Sequence, residues 1–312
     1  MDLAFDDIGQ AVGTAVSQVC RERASDAVLR AQAGSFPREL WSELAELGVL
    51  ALCTAEGEGG PLELVAACEA LGRAVFPGPL VATFLATQLL PAAERVRVAR
   101  GECVVSVGAG RVWPWAPAAQ IFVEVDGSRA WLARPASLET IGTLGGEPWG
   151  RGVLERERDL GDASAALALH DTTLAAYLAA AGQRLVDAAS EHARTRVQFG
   201  KAIGEFQGVA LPLADCRIRL DGAEMLARQA GYALAQGQDG AAVHASAARL
   251  SACSAALATA NVCHQVFGAV GITLEGSVFH VSRRIRQLAG QPPGATHARS
   301  VLLDSLGLGA AA

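Results

Sequence analysis

The chain has 312 residues, 51% hydrophobic and 19% charged, and a net charge of −6 from 26 basic and 32 acidic side chains. That length supports a large core in two or three structural units, and the apolar content excludes a disordered chain. Acids and bases are interspersed, so there is no basic field for nucleic acid or anionic lipid.

From residue 1 to about 100 the pattern is helical. Ile8, Val12, Ala15 and Val19 recur at helical spacing, as do Leu40, Leu44 and Leu47, with Ser35 placed to cap the second helix and Gly48 to end it. Leu64, Val65, Cys68 and Leu71 predict a third helix closed by Gly72 and Pro77-Gly78-Pro79. Between 101 and 163 the character changes to short apolar runs: Cys103 to Val107, Ile121 to Val125 and Ala130 to Ala133 each suit a strand, and Asp126-Gly127 predicts a hairpin. From 164 to 312 the chain is helical again. The spacing predicts helices over Thr172 to Gln198, Glu205 to Gln236 with Pro212 near its start, Ala241 to Phe267, and Val278 to Leu288. Gln291-Pro292-Pro293 is a loop.

Seven cysteines (20, 53, 68, 103, 216, 253 and 263) are scattered without a Cys-x-x-Cys pair. This argues against a disulfide framework or a metal site and fits a reducing cytoplasm. The start, Met1-Asp2-Leu3-Ala4-Phe5, lacks the basic-then-apolar order of an export signal. Two apolar stretches, Ala74 to Ala93 and Arg249 to Glu275, read as buried helices rather than membrane spans, because prolines break the first and Asn261, His264 and Gln265 interrupt the second.

The stretch Arg194-Thr195-Arg196-Val197-Gln198-Phe199-Gly200-Lys201-Ala202-Ile203-Gly204-Glu205-Phe206-Gln207 gathers cations, amides and aromatic rings at one corner between helices. Such a corner suits a phosphate-bearing cofactor held between a guanidinium and flat rings. Arg194 and Gln198 lie four apart on one helix face, with Arg196 turned about 200° from Arg194. A basic helix C-terminus followed by a glycine stop also accounts for the arginines and Gly200. It leaves Gln198, Phe199, Phe206 and Gln207 unexplained, unless the two phenylalanines are core residues.

This corner resembles a signature of the acyl-CoA dehydrogenase family, flavoproteins that oxidise CoA thioesters. So does Gln265-Val266-Phe267-Gly268-Ala269-Val270-Gly271-Ile272-Thr273-Leu274-Glu275, followed by Arg283-Arg284-Ile285-Arg286, and so does Phe36-Pro37-Arg38-Glu39-Leu40-Trp41 with Leu44-Ala45-Glu46-Leu47-Gly48 and Glu58-Gly59-Gly60. The resemblance implies an α+β, mainly α fold. It has an N-terminal helical domain (1–100), a reduced middle β domain (101–163) and a C-terminal four-helix bundle (164–312). It also implies FAD. Arg196 would pair with the pyrophosphate of a neighbouring subunit's FAD, and Gln198 and Phe199, with Phe206 beside them, would line its ribose and adenine. Gln207 and Gln265 would add hydrogen bonds, and the backbone at Gly268 and Ala269 would lie along the cofactor. Ala269 stands where the family usually has glycine, and a methyl group there would shift the backbone slightly from the cofactor and loosen that contact.

The family reaction needs a carboxylate base. Its usual loop falls at Gln291-Pro292-Pro293-Gly294, which carries none. Its other position, on the helix leading into the corner, falls near His170 and Asp171, either of which could serve; Asp171 equally suits a cap on the helix beginning at Thr172. The family's own-subunit flavin segments are not recognisable in Gly108-Ala109-Gly110-Arg111-Val112-Trp113-Pro114-Trp115. Contacts made across a subunit interface are kept, and those made within the subunit are missing. Short family members of this kind, known from actinobacterial steroid-degradation clusters, pair with a full-length relative in a two-plus-two heterotetramer. The resemblance therefore implies a companion subunit that completes the partner's FAD site, acting on an acyl-CoA with an electron-transfer flavoprotein or similar acceptor. Two alternatives stay open: a self-sufficient homo-oligomeric dehydrogenase using Asp171 or His170, and a non-catalytic CoA-thioester-binding or scaffold protein.

Overall fold

The computed structural model describes residues 3–24, 34–274 and 276–309. Met1, Asp2 and Glu275 lie outside the described residues. Helix α1 (Asp7–Arg23) is capped by Asp6, whose Oδ1 accepts from the Gly9 amide at 2.9 Å. Its buried face is Gly9, Val16 and Cys20, and Ile8 is 62% exposed. The buried face is thus rotated from the expected stripe of Ile8, Val12, Ala15 and Val19, and Gly13 lies against Ala66 of the neighbouring helix. Helix α2 (Arg38–Glu46) starts after Pro37 instead of a Ser35 cap, and Gly48 just past its end adopts φ 81°. Helix α3 (Pro61–Ala74) buries Leu64, Val65, Cys68 and Leu71 as predicted, but runs past Gly72. Helices α4 (Leu80–Leu89) and α5 (Ala92–Ala99) each follow a proline, which has no amide to leave unpaired there.

Five strands make one sheet, ordered β1-β3-β4-β5-β2: β1 (Val105–Gly108), β2 (Val112–Pro114), β3 (Ile121–Asp126), β4 (Arg129–Ile141) and β5 (Trp149–Asp162). β1 runs parallel to β3 and the other pairings are antiparallel. The predicted hairpin closes at Asp126 opposite Arg129, with Gly127 at φ 59°. One face packs Val105, Val107, Val123 and Ala130 on α4, α5 and Leu167, while Trp113 and Phe122 pack on the other. The length of β4 and the whole of β2 and β5 were not expected. β5 (WGRGVLERERDLGD) is mostly exposed and carries its charges in cross-strand pairs, Arg156 with Glu124 at 2.9 Å and Arg134 with Glu157 at 2.9 Å, so it lacks an apolar alternation.

Helices α6 (Ser164–Thr195), α7 (Gln207–Ala235), α8 (Ala241–Phe267) and α9 (Ser277–Gly290) form the C-terminal bundle, and α10 (Thr296–Ser305), also not expected, packs on α8. Pro212 lies inside α7, as read from the sequence. The span Ala241–Ile272 is long and apolar enough to cross a membrane by length and composition, but α8 packs along α6 and α7. Every residue of α6 from Ala166 to Gln183 is buried, as befits a helix with neighbours on all sides. A Cβ on Gly72 would lie 2.2 Å from the Tyr177 carbonyl oxygen, and one on Gly182 would lie 2.5 Å from Leu220. Alanine and glycine thus set how closely α6 approaches α3 and α7.

α6 begins at Ser164 and ends at Thr195, not at Thr172 and Gln198. His170 and Asp171 therefore lie within the helix, and Asp171 is not its cap. Both are buried, at 0% and 2% exposure, and the Asp171 carboxylate accepts from Arg249 of α8 and lies 3.0 Å from His170 Nδ1. Burial lowers the His170 pKa, so its ring is neutral. The ion pair joins the two central helices. Asp171→Ala, which strands the Arg249 cation, is expected to cost about 3–5 kcal/mol, and replacing both partners with apolar residues to recover most of that; urea unfolding of the two variants checks this. Gly72→Ala should lose about 1–3 kcal/mol through overpacking against α6, and an unchanged unfolding midpoint would show that the two helices separate freely.

Candidate functional site

At the end of α6 the chain turns through a minimal hairpin. Arg196 is extended (ψ 118°) and its amide donates to the His192 carbonyl at 2.9 Å, closing the helix. Strands β6 (Val197–Gln198) and β7 (Lys201–Ala202) pair with Gln198 opposite Lys201, and the Ile203 amide donates to the Arg196 carbonyl at 2.8 Å. Phe199 and Gly200 form the two-residue tip with φ of 54° and 83°, the signs of a type I′ turn. A 3₁₀ turn (Ile203–Glu205) then leads to α7, and Glu205 accepts from the Ala202 amide at 3.3 Å. The expected helical face shared by Arg194 and Gln198 does not exist, because Gln198 is in a strand.

A strand alternates its side chains, so Arg196 and Gln198 share one side of the ribbon and Lys201 stands across from Gln198. Arg194 is tied to Glu191 at 2.7 Å. The exposed Arg196 guanidinium makes no hydrogen bond or ion pair among the described residues. Phe199 is 94% exposed and meets Phe206 edge-on at 6.3 Å, and Lys201 Nζ lies 4.4 Å above the Phe206 ring. Gln198 bonds back to the Val197 carbonyl at 2.6 Å, and Gln207 opens α7 exposed. A phenylalanine with positive φ is held against a cost of roughly 1–2 kcal/mol, and here its ring points into solvent.

The second expected segment lies at the same end of the bundle. α8 stops at Phe267, Gly268 takes φ 59° and ψ −136°, and a 3₁₀ turn runs to Ile272. No atom would crowd a Cβ at Gly268, so the backbone angles alone demand glycine there. Gln265, Gly268 and Ala269 are exposed. The rings of His192 and Phe267 stack at 4.4 Å with planes 14° apart, joining the ends of α6 and α8. The structure thus brings Arg196, Gln198, Phe199, Phe206 and Gln207 to the end that also carries Gln265, Gly268 and Ala269. His170 and Asp171 are not in this group.

Sequence reading missed a buried cluster elsewhere. Arg284 of α9 pairs with Glu147 of the β4–β5 connection, which also accepts from Gln287, and donates to the Gly78 carbonyl at 2.8 Å. It welds three parts of the chain, and only the paired run Arg283-Arg284 hinted at it. Gln291, in the loop without a carboxylate, is buried.

These features agree with comparisons to known proteins. The acyl-CoA dehydrogenase N-terminal domain matches residues 7–95 and the acyl-CoA dehydrogenase C-terminal domain residues 161–290. Two proteins of Mycobacterium tuberculosis are similar to most of the chain. Acyl-CoA dehydrogenase FadE34 is 29% identical over 81% of it, and acyl-CoA dehydrogenase IpdE2 is 29% identical over 83% of it. The chain spans 40% of the length of the former and 85% of the latter. Its fold is that of the ChsE4-ChsE5 complex from Mycobacterium tuberculosis (TM-score 0.85, 24% identity, 100% of both chains). PigA, solved in complex with FAD, shares it too (TM-score 0.80, 18% identity). With both of its domains matched, the chain belongs to the acyl-CoA dehydrogenase family.

Proposed function

We propose that this chain is a companion subunit of an FAD-dependent acyl-CoA dehydrogenase, completing across an interface the FAD site of a full-length partner in a two-plus-two heterotetramer. The observation that carries this reading is the corner itself: a 94% exposed phenylalanine kept in a left-handed backbone, beside an arginine whose guanidinium is unpaired among the described residues. Such an arrangement is costly in an isolated chain and suits a ligand that is anionic at one end and flat at the other.

The groups present fit the dinucleotide half of FAD. Arg196 would hold the pyrophosphate by charge-assisted hydrogen bonds, Phe199 and Phe206 would face the adenine, and Gln198, Gln207 and Gln265 would bond to its polar edges and ribose. The backbone at Gly268 and Ala269 would pass along it. When bound, FAD supplies the hydride acceptor for α,β-desaturation of a CoA thioester. The loop of Gln291 carries no carboxylate, and Asp171 is committed to Arg249 and His170 inside the bundle. Both support a partner that carries the base, rather than a self-sufficient enzyme.

The ChsE4-ChsE5 complex gives a precedent of shape for pairing, and another protein of this fold is a steroid ACAD, which supports a steroid-derived thioester as the substrate class. Electrons would leave the complex to an electron-transfer flavoprotein or similar acceptor. The seven cysteines are free thiols, which supports a cytoplasmic setting.

Co-expressed with its partner, the chain should yield a yellow complex, and Arg196→Ala should strip the flavin without separating the subunits. Full flavin content and turnover in that variant would overturn the reading. Phe199→Asn, whose short side chain tolerates the left-handed region, should raise the unfolding free energy of the isolated chain by about 1 kcal/mol while weakening flavin retention in the complex. A loss of stability would mean that the exposed ring is held for folding instead.

A further inference from the structure

The reading above names the groups that would touch the dinucleotide, but not what sets the spacing between the hairpin and the turn after α8. His192 is placed to do so. Its carbonyl accepts from the Arg196 amide at 2.9 Å and from the Thr195 hydroxyl at 3.3 Å, so its backbone fixes where α6 gives way to the hairpin. Its ring lies flat on Phe267 at 4.4 Å, the residue that ends α8 just before Gly268. Phe267 is in turn fixed from below, because Gly271 lies so near that a Cβ there would come within 2.9 Å of the Phe267 Cβ. One side-chain pair therefore spans two segments that are far apart in sequence.

We propose that His192 is a positioning residue, whose stack on Phe267 holds the Arg196–Phe199 hairpin and the Gln265–Ala269 turn at the separation that lets both reach one dinucleotide. The stack is between a partly buried imidazole and an apolar ring. Partial burial and then the nearby Arg196 charge lower the His192 pKa, which favours the neutral imidazole in the stack. His192 itself need not touch the ligand. What the position requires is a flat ring of about its size, and phenylalanine meets that requirement.

This inference rests on the proposed role of the corner in the partner's FAD site, and the experiment separates the two. The co-expressed complex is stripped of flavin and titrated with FAD, following flavin fluorescence, for the parent, His192→Ala, His192→Phe and Arg196→Ala. Loss of one stacked pair should weaken FAD binding by His192→Ala roughly three- to tenfold, with His192→Phe restoring it to within about twofold and the subunits staying associated. Parent-like affinity in His192→Ala together with a large loss in Arg196→Ala overturns the positioning role and leaves the site standing. An equal loss in His192→Ala and His192→Phe also overturns it, since stacking would then not be the property that matters. Parent-like affinity in Arg196→Ala removes the site and this inference together. If His192→Ala fails to assemble, Phe267→Leu tests the same stack from the other helix, with the same weakening expected and parent-like affinity overturning the proposal.

Discussion

Gly72 lies so near α6 that a Cβ would stand 2.2 Å from the Tyr177 carbonyl oxygen, and Gly182 is nearly as close to Leu220 of α7. Because small residues line these contacts, α6 sits in the middle of the molecule with helices on every side. A helix buried all round cannot slide or roll without opening cavities, and its length then determines where the chain emerges. The hairpin with Arg196 and Phe199 is that point of emergence. α8 packs along α6 and ends at the same end of the bundle, so that two segments distant in sequence meet through His192 and Phe267.

The fully buried stretch of α6, Ala166 to Gln183, also carries a charge. Asp171 is 2% exposed, and its carboxylate is matched by Arg249 within the bundle. Buried pairs of this kind are stable only while both members remain, and they are poorly suited to exchanging protons with a substrate. The polar chemistry of the chain is therefore divided. Its interior charges, Asp171 with Arg249 and Glu147 with Arg284, hold helices and the β region together, whereas Arg196 at the corner is exposed and unpaired among the described residues. That division is what a subunit would show if it contributed a binding surface and left proton removal to another chain.

Much of this was legible in the sequence, for physical reasons that differ by element. The third predicted helix of the bundle, Ala241 to Phe267, has the bounds observed for α8, because glycines flank it on both sides. The Asp126-Gly127 hairpin was legible because the turn requires positive φ. α6 was read to start late because Asp171 before Thr172 has the look of a cap, whereas its carboxylate is taken up by Arg249 inside the bundle. β5 was missed because its stability comes from ion pairs with β3 and β4 that only the folded sheet brings together. The corner was identified by residue type, but its form was not. Arg196 and Gln198 lie together through strand alternation, not helical spacing. The pairing of His192 with Phe267 had no local signature at all, and that of Arg284 with Glu147 had only the run Arg283-Arg284.

The most direct test of the central claim is a structure of the complex between this chain and its full-length partner with FAD bound. The account predicts the Arg196 guanidinium within about 2.7–2.9 Å of a pyrophosphate oxygen on an FAD whose flavin ring is held by the partner. An FAD contacted by one chain alone, with Arg196 and Phe199 facing solvent, would contradict it.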